Sequence, residues 1–294
     1  MSYRKEKQKS LLGIDTNKLG TTELQQMSQS VLSSGMHGLC FSPYLEGQKP
    51  GDPISEAQIK RKLELIVPYT KWIRIFSCTD GNEQIPRLAK QYGLKTLVGA
   101  WLGDDAQTNE KEIKALIKLS HEGMVDIAAV GNEVMYRGDL EEAELISFIN
   151  RVKQAIPEIP VGYVDAYYEF SDRPKITQAC DVILANCYPY WEGCSLEYSL
   201  VYMKQMFHHA KAVGMGKKVI ITETGWPSQG ASLEGAHPSY ENALRYFINA
   251  QNWSKKDDID LFYFSSFDES WKVGTEGDVG AFWGLWDKNE KLKF

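Results

Sequence analysis

Two glutamates stand where an acidic side chain is costly. Glu133 follows the apolar run from Val125 through Val130, and Glu223 follows Val219-Ile220-Ile221. A carboxylate in such a place needs a partner or a task. Two carboxylates converging on one carbon are what cleavage of a glycosidic bond requires. One protonates the leaving oxygen and the other attacks or stabilises the anomeric carbon. The retaining form of this chemistry needs the pair roughly 5 to 5.5 Å apart. For any single glutamate, a salt bridge in a loop is the ordinary explanation. Here both glutamates end apolar runs, and that favours the pair. Other polar residues sit at comparable points: Arg74 within KWIRIFSC, Asn186 and Tyr188 after DVILA, and Glu269 and Lys272 in FDESWK.

The elements that would position them alternate along the chain. Strands are expected at HGLCFSPY from His37, KWIRIFSC from Lys71, LKTLVGAWL from Leu94 and VDIAAVGNEV from Val125. Four more follow at IPVGYVDAY from Ile159, DVILANCYPY from Asp181, KKVIITETGW from Lys217 and IDLFYFSSFDESW from Ile259. Capped amphipathic helices lie between them. Ser55 with Gln58 forms a capping box, Asn109 with Glu112 and Asp139 with Glu142 mark two more starts, and Ser239 opens another. Near-continuous apolar strands fit a parallel sheet buried on both faces. Eight βα units over about 260 residues predict an α/β fold, a (β/α)8 TIM barrel. It would be one catalytic domain over residues 1–294, with an N-terminal extension (1–35) carrying one helix, Thr21 to Ser33. In such a barrel the site lies at the C-terminal ends of the strands.

Composition narrows the partners. Of 294 residues, 43% are hydrophobic and 24% charged, and the net charge is -6. There is no basic stripe, so nucleic acid is not an expected partner. No apolar run reaches 18 residues, so no membrane partner is expected. No GxGxxG, phosphate loop or HExxH spacing occurs, and no cofactor or metal is expected. The five cysteines are read as free thiols, although Cys187 and Cys194 are close enough to pair. The N-terminus, MSYRKEKQKS, has no apolar core of a signal peptide. The chain as written is expected in the cytoplasm, or in the periplasm or medium if it is a processed form. A monomer is expected. Among 8 Trp and 15 Tyr, some would serve as platforms for sugar rings.

These motifs carry a family likeness. Gly131-Asn132-Glu133-Val134 resembles the acid/base segment of glycoside hydrolase family 17, the β-1,3-glucanases. Ile221-Thr222-Glu223-Thr224-Gly225-Trp226-Pro227-Ser228 resembles its nucleophile segment almost letter for letter. Phe41-Ser42-Pro43-Tyr44, Ile73-Arg74-Ile75-Phe76, Asn186 with Tyr188-Pro189-Tyr190, and Phe267 through Lys272 before Gly284-Leu285 extend the resemblance over nearly the whole chain. It is closer to the bacterial and fungal branch than to the plant enzymes.

The resemblance implies double displacement, with Glu223 as nucleophile and Glu133 as acid/base. It implies that Asn132 bonds the 2-OH of the reacting sugar and that Tyr188 and Arg74 keep Glu223 ionised. Tyr44, Glu269 and Lys272 would face a β-1,3-gluco-oligosaccharide. Trp101, Trp226, Phe267 and Trp271 would be platforms, Trp226 foremost, with Trp191 and Trp283 weaker. The same intermediate would serve hydrolysis or transfer to another glucan. A non-catalytic glucan-binding barrel is the remote alternative.

Overall fold

The computed structural model describes residues 13–294. The polar N-terminal decapeptide lies outside the described residues. Eight strands form a closed parallel barrel in simple sequential order, so this is a single-domain (β/α)8 barrel. They are β1 (Met36–Cys40), β2 (Thr70–Ile75), β3 (Lys95–Ala100), β4 (Ile127–Asn132), β5 (Val161–Ala166), β6 (Val182–Asn186), β7 (Val219–Thr224) and β8 (Leu261–Tyr263). β4 and β7 are buried along their entire length, as expected when one face meets the barrel interior and the other a helix layer.

The helices in chain order are α1 (Thr21–Ser33), α2 (Glu56–Ile66), α3 (Gln84–Gln91), α4 (Ala106–His121) and α5 (Val134–Arg137). α6 (Glu142–Ala155), α7 (Glu169–Asp172), α8 (Pro174–Ala179), α9 (Leu196–Val213), α10 (Tyr240–Lys256) and α11 (Val273–Glu276) follow. α1 forms over the residues expected and lies against α10, where Gln25 donates to the Tyr240 hydroxyl at 2.9 Å. The Ser55–Gln58 capping box is present at the start of α2. Ser239 caps α10 by accepting from the Asn242 amide at 3.1 Å. None of the described helices is long and apolar enough to cross a membrane.

Three local expectations are corrected. α4 begins earlier than expected, capped by Asp105, which accepts from the Thr108 amide at 2.7 Å. Asn109 and Glu112 instead face inward, and Glu112 accepts from Ser77, Cys78 and the Trp101 amide. α6 starts after Glu141 rather than at Asp139. β8 is three residues long, because the chain beyond Tyr263 leaves the ladder to form the floor of the barrel mouth. All five cysteines are free.

The ladder is irregular at three places, all at the C-terminal mouth. Register shifts fall between Ala129 and Asn132, between Ala185 and Asn186, and between Ile221 and Thr224. Bulges re-aim side chains and are common beside active sites. Here they set the directions of Asn132, Glu133, Asn186 and Glu223.

Candidate active site

Glu133 is the residue at which β4 turns into the single turn α5. Its backbone is left-handed, φ 53°, and Gly131 two residues earlier has φ 86°. A non-glycine residue in that region costs about 1 kcal/mol or more. A Cβ at Gly131 would lie 2.8 Å from the Val134 side chain, so the glycine is required twice over. The Glu133 amide still reaches the Val164 carbonyl, at 2.8 Å.

Asn186, at the end of β6, ties the two carboxylates together. Its Nδ2 donates to Glu133 Oε1 at 2.8 Å and to Glu223 Oε1 at 3.0 Å. Two acceptors at these distances from one nitrogen stand at most about 5.8 Å apart, and about 5 Å when each takes one of the amide's two hydrogens, which diverge by about 120°. That lies in the retaining range and well short of the inverting one. Thr222 donates to Asn186 Oδ1 at 2.9 Å, so the amide can present only its NH2 group to the acids.

Glu223 is buried among donors. Tyr188 donates its hydroxyl at 2.8 Å, and Arg74 Nη1 stands 2.6 Å away. Burial, and then the charge on Glu223, push the Tyr188 hydroxyl well above its usual range. It therefore stays a donor. Arg74 is 1% exposed. It also donates to the Thr222 carbonyl at 3.2 Å and to Asn132 Oδ1 at 2.5 Å. Its guanidinium lies 4.2 Å from the centre of the Phe76 ring, so the two strand neighbours share a face as their period of two demands. With Asn186, three donors thus converge on one carboxylate.

Glu133 has the opposite environment. Burial first, and then the negative charge on Glu223, raise its carboxyl to about 7, against a smaller opposing pull from Asn186. One acid of the pair thus keeps its proton up to about neutral pH, beside a carboxylate ringed by donors. If Glu133 must carry a proton in the free enzyme, kcat/KM should fall above pH of about 7 and approach tenfold per pH unit beyond it. A kcat/KM profile on laminaritriose between pH 4 and 9 checks this. A plateau extending to pH 9 would contradict it.

Around this pair the sequence-derived candidates separate. Tyr44, Glu269, Trp271 and Lys272 form one connected group. Lys272 Nζ pairs with Glu269 Oε2 at 2.8 Å, and Trp271 Nε1 donates to Glu269 Oε1 at 3.0 Å. The Tyr44 ring meets Trp271 edge-on at 6.2 Å. Lys272 Nζ lies 4.0 Å from the centre of Phe264, whose ring contacts Tyr188 at 6.0 Å. Trp101 is 39% exposed at the rim, with the Arg137 guanidinium 4.5 Å from its ring.

Two proposed platforms are corrected. Trp226 is 1% exposed, bonded through Nε1 to the His237 carbonyl and packed between Tyr190 and Tyr246. It lies past the end of β7, where the chain has turned away from the pocket and under α10. Phe267 is likewise interior, between Phe41 and Trp286. Trp283 is the tryptophan beside Tyr188, at 5.6 Å, and half-exposed Trp191 stacks on it from outside at 5.5 Å.

Asn186 stood out from sequence as a polar strand end and a motif residue but without a role. Its strand register, directly opposite Glu223, is what gives it one. Phe264 and Glu276 were not singled out from sequence. Burial lifts the Glu276 carboxyl to about 7 although Lys272 opposes this. Among the described residues, no group of His, Cys, Asp and Glu is placed to hold a metal ion.

A closed (β/α)8 barrel with two carboxylates about 5 Å apart over its mouth defines the class of retaining O-glycoside hydrolases. Within that class the chain belongs to the family whose model is described as BtgE/BtgC glycoside hydrolase domain, which matches residues 38–284. A glucan 1,3-beta-glucosidase of Saccharomyces cerevisiae is 24% identical over 265 residues, 82% of this chain and 85% of that protein. One from Candida albicans is 28% identical over 258 residues, 79% of this chain and 83% of that protein. Among solved structures, a glycoside hydrolase family 17 beta-1,3-glucanosyltransferase from Rhizomucor miehei superposes with a TM-score of 0.79. It is 28% identical and covers 88% of this chain and 96% of its own. An active-site mutant of the Rhizomucor enzyme was solved with laminaritriose, with a TM-score of 0.78. The family 17 likeness read from the motifs is therefore the right one.

Proposed function

We propose that the protein cleaves and rearranges β-1,3-glucan by double displacement, with Glu223 as nucleophile and Glu133 as acid/base. The observation that carries this reading is the single Asn186 amide bonded to both carboxylates. It sets their separation in the range that admits a covalent intermediate and leaves too little room for a water between Glu223 and the anomeric carbon.

The steps follow from the surroundings. Glu223, held ionised by Arg74, Tyr188 and Asn186, attacks the anomeric carbon. Glu133 gives its proton to the departing oxygen. Once Glu223 is esterified its charge is gone, and the repulsion that kept Glu133 protonated goes with it. Glu133 then accepts a proton from water or from a sugar hydroxyl. Arg74 occupies Asn132 Oδ1, which leaves the Asn132 NH2 group to donate to the hydroxyl next to the reacting carbon.

β-1,3-Linkage is supported by the activities for which the relatives are named, both hydrolytic and transferring. The acceptor decides the product. Trp101 and the exposed ring of Tyr136 stand on the Glu133 side of the mouth, where a leaving or incoming sugar would lie. Incubation with laminaritriose to laminarihexaose, with products sized over time, tests the reading. Shorter and longer β-1,3-oligomers are expected, the longer ones increasing with donor concentration. No change in any of these oligomers would refute it.

A further inference from the structure

Behind Glu133, on the side away from the pocket, lies a buried pair with no part in the steps above. Asp165 in β5 is fully buried. Its partners are donors rather than a cation. The Tyr163 hydroxyl and the Tyr136 amide donate to Oδ2, and the Ala166 amide donates to Oδ1 at 2.7 Å. Tyr163 in turn accepts from the Met135 amide at 2.8 Å. Tyr163 and Asp165 are two apart on one strand, so they face the same way. Met135 and Tyr136 belong to the first turn of α5, whose leading amides have no partner within the helix. Two consecutive amides, two and three residues after Glu133, are thus held by a hydroxyl and a carboxylate from the neighbouring strand.

This matters because α5 is a single turn, bounded by left-handed Glu133 and by Gly138 with φ 72°. A turn that short has little stability of its own. Arg137 adds a second tie, donating to the Asn132 and Leu102 carbonyls. The strained backbone at Glu133 persists because its surroundings over-determine it.

We propose that Tyr163 and Asp165 are positioning residues for Glu133. The pair fixes the turn that aims the Glu133 carboxyl, and the buried charge of Asp165 helps keep that carboxyl protonated for the first chemical step. The proposal rests on Glu133 being the acid/base.

The charged groups facing Glu133 come from several strands. Glu223 on β7 and Asp165 on β5 favour its protonated form, and Arg74 on β2 opposes them, as does the hydrogen bond from Asn186 on β6. Tyr188 stays neutral, as described above. Around Asp165, burial raises the carboxyl to about 6. Tyr163 and the Ala166 and Tyr136 amides pull it down, and Glu169 on α7 pushes it up. Glu169 is itself paired with Arg173 at 2.9 Å. Asp165 is therefore ionised across the neutral range, where Glu133 is half-protonated.

Asp165→Asn keeps the shape and removes the charge. Its basic limb in kcat/KM on laminaritriose should move down by on the order of half a pH unit. Its kcat on laminaritriose should fall roughly tenfold, the low end of what general-acid assistance supplies. Its kcat/KM on a dinitrophenyl laminaribioside, which reports the first displacement with a leaving group that needs no proton, should stay nearly at the wild-type value. Tyr163→Phe keeps the Asp165 carboxyl in place and frees the Met135 amide. It should show the same selective loss on laminaritriose, with KM unchanged.

A basic limb at the wild-type position in Asp165→Asn would overturn the proposal, as would equal losses on both substrates. If Asp165→Asn does not fold, the substrate selectivity of Tyr163→Phe decides in the same way. Glu133→Ala run alongside separates the two layers. If it is not spared on the dinitrophenyl substrate and azide does not rescue it, the acid/base reading itself has failed. If it behaves as expected while the Asp165→Asn limb stays put, only the present proposal has failed.

Discussion

Glu223→Gln is expected to lower kcat on laminarin by at least about 10⁴-fold, which is about 5.5 kcal/mol of lost transition-state stabilisation. The amide has nearly the shape of the carboxylate but no usable nucleophilic charge, so the covalent route is closed. Substrate should still bind, because the Lys272–Glu269–Trp271 group and the rim are untouched. The variant should be less stable as well as inactive. Arg74 and Glu223 are 2% and 8% exposed at the side chain and 2.6 Å apart. Removing one charge of such a pair leaves the other buried and uncompensated, at a cost of about 3 kcal/mol. Relief of the repulsion with Glu133 offsets only part of this, since Glu133 carries its full charge only above a pH of about 7. A cooperative melt at a lower temperature, with turnover near the detection limit, is the expected combination. Turnover within tenfold of wild type would remove Glu223 from its role.

Glu133→Ala is expected to lose about 10³-fold or more on laminarin, whose leaving sugar needs a proton, and far less on a dinitrophenyl laminaribioside. The asymmetry follows from the two tasks of one carboxyl. An activated leaving group spares the first task. The second, deprotonating water, remains unserved, so glycosyl-enzyme accumulates. Truncation to alanine also opens space beside the intermediate. Azide, which needs no base, should enter that space and restore turnover on the activated substrate by at least tenfold. Azide should do nothing for Glu223→Gln, where no intermediate forms. Rescue of both variants, or of neither, would contradict the assignment.

How much of this could be read from the sequence depended on whether a residue's direction was set locally. The strands were legible because most are short apolar runs buried on both faces. Glu133 and Glu223 were legible because each ends such a run with an acid. β8 was over-extended because Phe264 and Phe267 continue its aromatic run after the chain has left the ladder, where both rings are buried. Trp226 was misjudged for a related reason. Nearness to Glu223 in sequence says nothing about direction once a strand has ended, and three residues on, the ring lies under α10. Trp283, far away in sequence, is the one that reaches Tyr188. Glu112 was read as a capping residue because the spacing suits one, yet tertiary donors from the loops after β2 and β3 claim its carboxylate. Asn186 required knowing that β6 and β7 are neighbours shifted by a bulge. Asp165 was invisible as an accessory to Glu133, because its link runs through Tyr163 and two backbone amides.

The most direct measurement is the configuration of the glycosyl azide released by Glu133→Ala from a dinitrophenyl β-laminaribioside, read by proton NMR. Two successive displacements at one carbon, the first by Glu223 from below and the second by azide from above, predict the β-azide. An α-azide would mean a single displacement and no covalent intermediate on Glu223, and the account built on these two carboxylates would be wrong.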